Sequence, residues 1–568
     1  MHKNLSIIAL VVIIFLAGFL RLYKLDFNPP SLFADEVDIG YQVKSFLSTG
    51  KDYQGNFLPL QFHSFSDVRT SLPIYSTALI SLLPKISIDT AIRLTPAIFS
   101  VLSIILIFFL VNNLFTLFGL INNKSKIFPG IWSSLVLSLL PWHYTYSRAG
   151  FELSMLLFFV IAGLFFYTKF LIGNKKSYLI IGLILLSLVP MVYSTAKLSV
   201  IFYPLIISLI PGGFEYLKNK INWIILSILF IPLFILLLNG GAGKRFGEIT
   251  IFTDPTIPTE INAKREIDLG PNATVGSVPG LNSKIVHNKL ISLTNFITTN
   301  FINPASSGFL FLSGDPNQRH ALKNWGMLEK SLMIPLLLGI YFIISGKHNR
   351  FLLFLAILWL SATTPAVLTR DGLNHASRNY MMILPLVLLI TTGVYNLQNK
   401  SKILTILLTG LFLFESFFYF HDYWYHYQYD SQRDWHYGLK QVIQNTKKYI
   451  NRPLIITRNY EPPLIFYLYY SDFPAAKFQE IYKTNTFLEK VDQKLNIEGE
   501  KLTGTNIYFA SITDKKLPNP FQIKDAVYVV TYNEYLETGE LSHLIDETIK
   551  FPTLFPVFYV LNTNKSFR

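Results

Sequence analysis

Apolar residues along most of this chain come in long unbroken runs, not in alternation. A run of about 20 mostly apolar residues is what one membrane crossing requires. Eleven segments meet that description: Leu5–Arg21, Leu94–Val111, Ile127–Ser147, Leu153–Thr168, Ser177–Ala196, Leu198–Phe214, Ile221–Gly243, Ser331–Gly346, Phe351–Thr369, Asn379–Asn399 and Ile403–Phe420. Ser71–Pro84 is uncharged but too short, and prolines bound it, so it reads as a juxtamembrane or re-entrant helix. The residues 244–330 are rich in Gly, Pro, Asn and Thr and read as a mostly irregular outer loop. The pattern changes again after Phe420. Trp435–Ile450 has helical spacing, whereas Leu454–Thr457, Ile507–Ala510 and Val527–Thr531 read as buried strands. The predicted architecture is a multi-pass α-helical membrane protein with about eleven transmembrane helices. Residues 1–420 form the membrane domain, with outer loops at 22–93 and 244–330. Residues 421–568 form a small extracytoplasmic α/β domain.

Composition agrees with that pattern. Of 568 residues, 51% are hydrophobic and only 15% charged, and the mean hydropathy is +0.38, which is too apolar for a soluble chain of this size. There is no cysteine, which excludes disulfides, thiolate catalysis and Cys-ligated metal centres. The net charge of +14 serves the membrane and not a nucleic acid. With the N-terminus inside, the short inner segments hold Lys3, Lys124, Lys126, Lys169, Lys175, Lys176, Lys218, Lys220, Lys347, Arg350, Lys400 and Lys402. The short outer loops hold only Arg148, Lys197, Arg370 and Arg378. That bias follows the positive-inside rule, and counting Ser71–Pro84 as a span would invert it. The first apolar segment lacks a small-residue cleavage site and is expected to remain as a helix.

Candidate chemistry gathers at the outer ends of the spans. Asp35 and Glu36 are adjacent carboxylates in the first outer loop, with Asp38 close by. Such a pair either caps a helix N-terminus or marks a site, because carboxylates at a membrane boundary are costly to desolvate. Arg148 and Glu152 stand four apart in a turn between two spans and can pair on one helical face. Lys197 follows Tyr193-Ser194-Thr195-Ala196. Arg319 and His320 end the stretch Ser313–His320, and His375 and Arg378 end Arg370–Arg378. These cationic and donor side chains suit a phosphate headgroup, bidentately for Arg and as a point charge for Lys. The chemistry consistent with such parts is transfer of a sugar from a polyprenyl phosphate. The departing phosphate needs positive charge, the acceptor hydroxyl needs a base, and direct attack inverts the anomeric centre.

Several of these stretches resemble a known family. Arg21-Leu22, Pro29–Glu36, Gly40-Tyr41, Thr49-Gly50, Asp52, Gly55 and Pro59-Leu60 are similar to bacterial members of glycosyltransferase family 39. That group resembles the dolichyl-phosphate-mannose protein O-mannosyltransferases and the aminoarabinose transferase of lipid A, with the GT-C fold. Ala91–Pro96, Ser147–Glu152, Gly314–Asn317 with Arg319-His320, and His375–Arg378 fit the same group. The resemblance spans residues 1–420. It implies Asp35 as base or metal-proximal carboxylate, Glu152 as the acidic residue of the second loop, and Glu36 beside them. It implies Arg148, Lys197, Arg319, His320, His375 and Arg378 as contacts of the lipid phosphate. The implied partners are a polyprenyl-phosphate sugar donor, membrane lipid and a glycan, lipid or protein acceptor. Oxygen ligands such as Asp35 and Glu152 suit Mg²⁺ or Mn²⁺, and the sequence leaves metal dependence open. Two other classes were weighed. A lipid-linked-sugar transporter or flippase would carry charges at mid-membrane and related halves, whereas here the charges sit at span ends. An oligosaccharyltransferase-like enzyme would carry a tryptophan-rich acceptor motif, which the tail lacks.

Overall fold

The computed structural model describes residues 2–65, 68–121, 128–218, 223, 225–238, 247, 250–271, 274, 276–484, 486–491, 498–511, 525–537 and 541–564. Lys124, Lys126, Lys220 and the end of the expected span Ile221–Gly243 lie outside them. The chain forms two compact units. One, the helical unit, comprises Met1–Tyr23, Pro96–Ser147 and Phe151–His421; the other, the sheet unit, comprises Lys24–Thr95, Arg148–Gly150 and Asp422–Arg568. The first outer loop therefore belongs with the tail, a grouping that the expected boundary at residue 420 did not anticipate.

Among the described residues of the helical unit, five helices are long and apolar enough to cross a membrane: Ile88–Leu117, which begins in the sheet unit, Leu153–Gly173, Asn349–Val367, Tyr380–Lys400 and Lys402–Tyr425. Six more apolar helices are shorter: Ile7–Leu22, Phe128–Leu139, Lys176–Met191, Ser194–Leu209, Ser227–Leu236 and Lys330–Ser345. Each expected span overlaps one of these eleven. Prolines account for part of the shortening, because they lack the N–H that continues a helix. Pro141 opens a separate short helix, Pro141–Ser147, and Pro190 falls in a 3₁₀ turn, Val189–Met191. The expectation of a mostly irregular loop at 244–330 is corrected. Helices occupy Thr256–Ile267, Leu281–Val286 and Lys289–Ile302. The first and third of these bury Ile257 and Ile261 against Leu293, Phe296 and Ile297, and that apolar contact stabilises helix where composition alone suggested loop.

The sheet unit holds a hairpin, β1 (Gln61–His63) and β2 (Val68–Thr70), and a seven-stranded sheet. The sheet strands are β3 (Leu454–Thr457), β4 (Leu488–Lys490), β5 (Glu498–Leu502), β6 (Ile507–Ser511), β7 (Val527–Thr531), β8 (Ile545–Lys550) and β9 (Pro556–Asn562). Their order is β4-β5-β6-β3-β7-β9-β8, with the central trio β6-β3-β7 parallel and the flanks antiparallel. β3 is buried along its whole length, the pattern of a strand covered on both faces. Leu454 and Ile456 join one apolar cluster and Ile455 another. The helix Ala34–Thr49 packs on the first of these faces. Its Val37, Tyr41 and Val43 share that core with Phe466, Tyr469 and Phe478 of the tail. Gln479 Nε2 fastens the two stretches together, donating to Ser45 Oγ, Thr49 Oγ1 and the Asp52 carbonyl at 2.9–3.0 Å. The helix ends where Gly50 takes the left-handed conformation (φ 70°) and returns its N–H to Phe46, a position that glycine adopts without a Cβ clash.

Candidate functional site

Asp35 and Glu36 both lie in the first turn of the helix Ala34–Thr49, and their environments are opposite. Glu36 is fully buried. Its Oε1 accepts from Arg93 Nε at 3.2 Å and from the Gly150 N–H at 2.8 Å, and its Oε2 accepts from the Phe33 N–H at 3.2 Å. Burial pushes its pKa up, against the opposing pull of Arg93 and the backbone donors. Gly150 has to be glycine here, because a Cβ would come within 2.6 Å of Ile92 and 2.8 Å of Glu36. Arg93 in turn donates to the carbonyls of Leu25, Pro29 and Ser31. Glu36 is thus a buried fastener of the first loop, its oxygens taken up by Arg93, Gly150 and Phe33, unlike the open position expected of a catalytic carboxylate.

Asp35 is more than half exposed. Its Oδ1 accepts from Arg69 Nη2 at 2.7 Å, and Arg69 Nε pairs with Asp38. Asp38 is buried, and its Oδ1 also accepts from Tyr53 OH at 2.9 Å and Ser64 Oγ at 3.0 Å. One guanidinium therefore bridges a buried, saturated carboxylate and a solvent-facing one. The β1-β2 hairpin supplies Arg69, and the helix supplies both acids one turn apart. This group lines a cavity of about 510 Å³. The opposite wall comes from the tail, with Arg458, Glu461, Phe487 and Phe509 among its residues. Arg458 follows the carboxyl end of β3, and Phe509 lies on β6. A crevice beyond the carboxyl ends of parallel strands is where open α/β sheets bind ligands. Aromatic surface beside carboxylates and guanidiniums suits a hydroxyl-rich ligand.

Arg148 is a second correction. It is fully buried, and its Nη2 donates to the carbonyls of Lys24 and Asn28 at 3.1 and 2.9 Å, with the guanidinium over the Tyr423 ring. A guanidinium held this way ties backbone together and does not meet a lipid headgroup.

In the helical unit the structure brings four expected residues together. Asp315 accepts from the Asn317 N–H at 2.8 Å, and its Oδ2 accepts from the Ala376 N–H at 2.8 Å and contacts His320 Nδ1 at 2.9 Å. Burial alone would raise the Asp315 pKa, but the His320 contact and the backbone donors bring it below the usual carboxylate value. The His375 ring lies 5.1 Å from that of His320. Burial, then His320 and Arg378, lower the His375 pKa to about 3. His375 is therefore neutral at physiological pH and offers a phosphate no positive charge, contrary to the expectation for a cationic headgroup contact. Arg319 and Arg378 are both near enough to act on it electrostatically. Arg378 Nη1 donates to Thr369 Oγ1 at 2.8 Å. Lys197 sits half-buried on the 3₁₀ helix Ser194–Phe202, and Glu152 directly precedes the helix Leu153–Gly173.

Sequence reasoning did not find Arg69, Arg458, Glu461 or the aromatic lining of the cavity. Arg69 stands in a short hairpin with no periodic signal, and the tail residues gain meaning only once the sheet folds them over the first loop. Asp315 was visible within Ser313–His320 but gave no sign of its bond to His320.

No family model matches the chain, and no curated protein matches it. Among solved structures it is similar to the AglB oligosaccharyltransferase of Archaeoglobus fulgidus tethered to an acceptor peptide, with TM-score 0.46 and 10% identity over 96% of this chain and 78% of that one. It is also similar to ArnT of Cupriavidus metallidurans in the apo state, with TM-score 0.42 and 10% identity over 100% and 99% of the two chains. For ArnT bound to undecaprenyl phosphate the TM-score is 0.39 and the identity 10%, over 99% and 98%.

Proposed function

We propose that this protein is a membrane glycosyltransferase that moves a sugar from a polyprenyl-phosphate donor to an acceptor hydroxyl on the extracytoplasmic side, with inversion. The observation that carries the reading is Asp35: a half-exposed carboxylate, fixed by Arg69, on the wall of a cavity large enough for a sugar. In the reaction the acceptor O–H proton passes to the Asp35 carboxylate as the acceptor oxygen bonds to the anomeric carbon. The bond from that carbon to the phosphate oxygen breaks on the opposite face, and the polyprenyl phosphate leaves as an anion. Proton removal of this kind contributes about 10²–10⁴-fold. Arg69 Nη2, 2.7 Å from Asp35 Oδ1, holds the carboxylate in place on the cavity wall. The cationic contacts proposed for a lipid phosphate are Arg319, Arg378 and Lys197 of the helical unit. The Lys/Arg bias supports eleven spans with an inner N-terminus and, with them, a first loop and tail outside the cytoplasm.

Membranes containing the full chain, supplied with labelled polyprenyl-phosphate sugars, test the reading. Wild type is expected to transfer label. Asp35→Asn is expected to keep donor binding and lose transfer. Translocation of intact donor without glycosidic-bond formation by wild type would favour the flippase alternative.

A further inference from the structure

We propose that Asp315, His320 and His375 form a binding site for a transition-metal ion of the Zn²⁺ class. Each residue presents one ligand atom, and the three atoms lie within 4.8 Å of one another. A single ion can therefore be reached by all three with small side-chain adjustments. The site is also prepared for one. The Ala376 and Asn317 N–H groups fix the Asp315 carboxylate, and its Oδ2 lies 2.9 Å from His320 Nδ1. A carboxylate oxygen and an imidazole nitrogen held at that separation can both ligate one ion once the proton between them is lost. His375 Nδ1 is buried and has no hydrogen-bond partner, an unsatisfied polar atom that is costly to leave unpaired unless something binds it. The rings of Tyr146 and Phe151 lie 5.8 and 5.6 Å from that of His320 and wall the cluster with apolar surface.

The chemistry of the donors selects the ion. Two imidazoles and one carboxylate are a Zn²⁺-type set with one position left open. Mg²⁺ prefers oxygen ligands in an octahedron, and the nearby Arg319 and Arg378 oppose any weakly held cation. The site is distinct from the Asp35 cavity and from the expected Mg²⁺ or Mn²⁺ ligands, and it stands whether or not the transferase reading does.

The test uses the purified full chain in detergent, stripped with chelator and titrated with Zn²⁺, and separately with Co²⁺ as a spectroscopic probe. Wild type is expected to take up one ion per chain and to give the intense visible bands of a low-coordinate Co²⁺ site. His375→Gln is expected to weaken binding more than 100-fold. Asp315→Asn is expected to weaken it about 10–100-fold, the range for loss of a carboxylate partner. Thermal unfolding of the stripped proteins checks that the variants fold. No stoichiometric Zn²⁺ in wild type, only weak octahedral Co²⁺ bands, or equal affinity in folded His375→Gln would overturn the proposal. The wild-type spectrum decides the matter even if a variant does not fold.

Discussion

The two chemical clusters of this molecule are built on opposite principles. Around Asp35, charges are numerous and partly open to water, and one guanidinium spans two carboxylates. Around His375, the groups are buried, and the Asp315 carboxylate, fixed by backbone donors, sits against His320 with the His375 ring beside it. The first arrangement keeps a carboxylate accessible and held by a guanidinium, which suits taking a proton from a substrate that arrives and leaves. The second keeps imidazole lone pairs dry and oriented, which suits a ligand that stays. Both contain acids beside cations, so residue type alone does not distinguish them; burial and hydrogen-bond saturation do.

The contrast is sharpest within the Asp35 region itself, where Glu36 is the buried neighbour. Glu36→Ala leaves Arg93 buried without its partner, and loss of about 3–5 kcal/mol of stability is expected. Denaturant unfolding in detergent measures it, and a change below 1 kcal/mol would remove Glu36 from its structural role. Arg69→Lys keeps a cation but cannot bridge Asp35 and Asp38 through a planar fork. Transfer is expected to fall about tenfold, through kcat more than KM, with a stability loss of about 1–3 kcal/mol from the half-satisfied Asp38. Unchanged kcat would mean that Arg69 does not position the base.

The His375 side of the comparison is tested by pH. Its folded pKa of about 3 lies below the unfolded value of about 6.5. Between those values the unfolded chain binds the additional proton, so stability is complete above about pH 6.5 and declines as pH falls toward 3. In chelator-stripped protein, wild type is expected to lose up to about 2 kcal/mol more than His375→Gln between pH 6.5 and 5. Parallel curves would show that His375 titrates normally. The smallest effect is expected at the cavity wall. Phe487→Ala removes aromatic surface and is expected to raise the acceptor KM about 3–10-fold with kcat kept, from a contact of about 0.5–1.5 kcal/mol.

The elements that the sequence made legible were those whose signal is local. β3 was predicted at Leu454–Thr457 and β7 at Val527–Thr531, and both occur with those bounds, because short β-branched runs flanked by polar residues carry their own signature. The apolar helices were legible for the same reason, apart from their proline-shortened ends. The helices within 244–330 were not, because Ile257 and Ile261 gain their stability from partners more than 30 residues away. At the site, Asp35 stood out by chemistry, but its neighbours did not. Arg69 reaches it from a hairpin, and Arg458 and Glu461 reach the same cavity from the tail, about 390 residues later in the sequence. The misreading of Arg148 has the same origin: a cation at a span end reads as a headgroup contact until its burial against the carbonyls of Lys24 and Asn28 is known.

The central claim is that of two adjacent carboxylates one does chemistry and the other holds the loop. Purified Asp35→Asn and Glu36→Gln, compared under saturating donor, test it most directly through kcat per folded molecule. Asp35→Asn is expected to lose about 10²–10⁴-fold in kcat with unfolding unchanged, whereas Glu36→Gln loses stability and keeps kcat within a few-fold. Full turnover in Asp35→Asn, or a kcat loss confined to well-folded Glu36→Gln, would contradict the account.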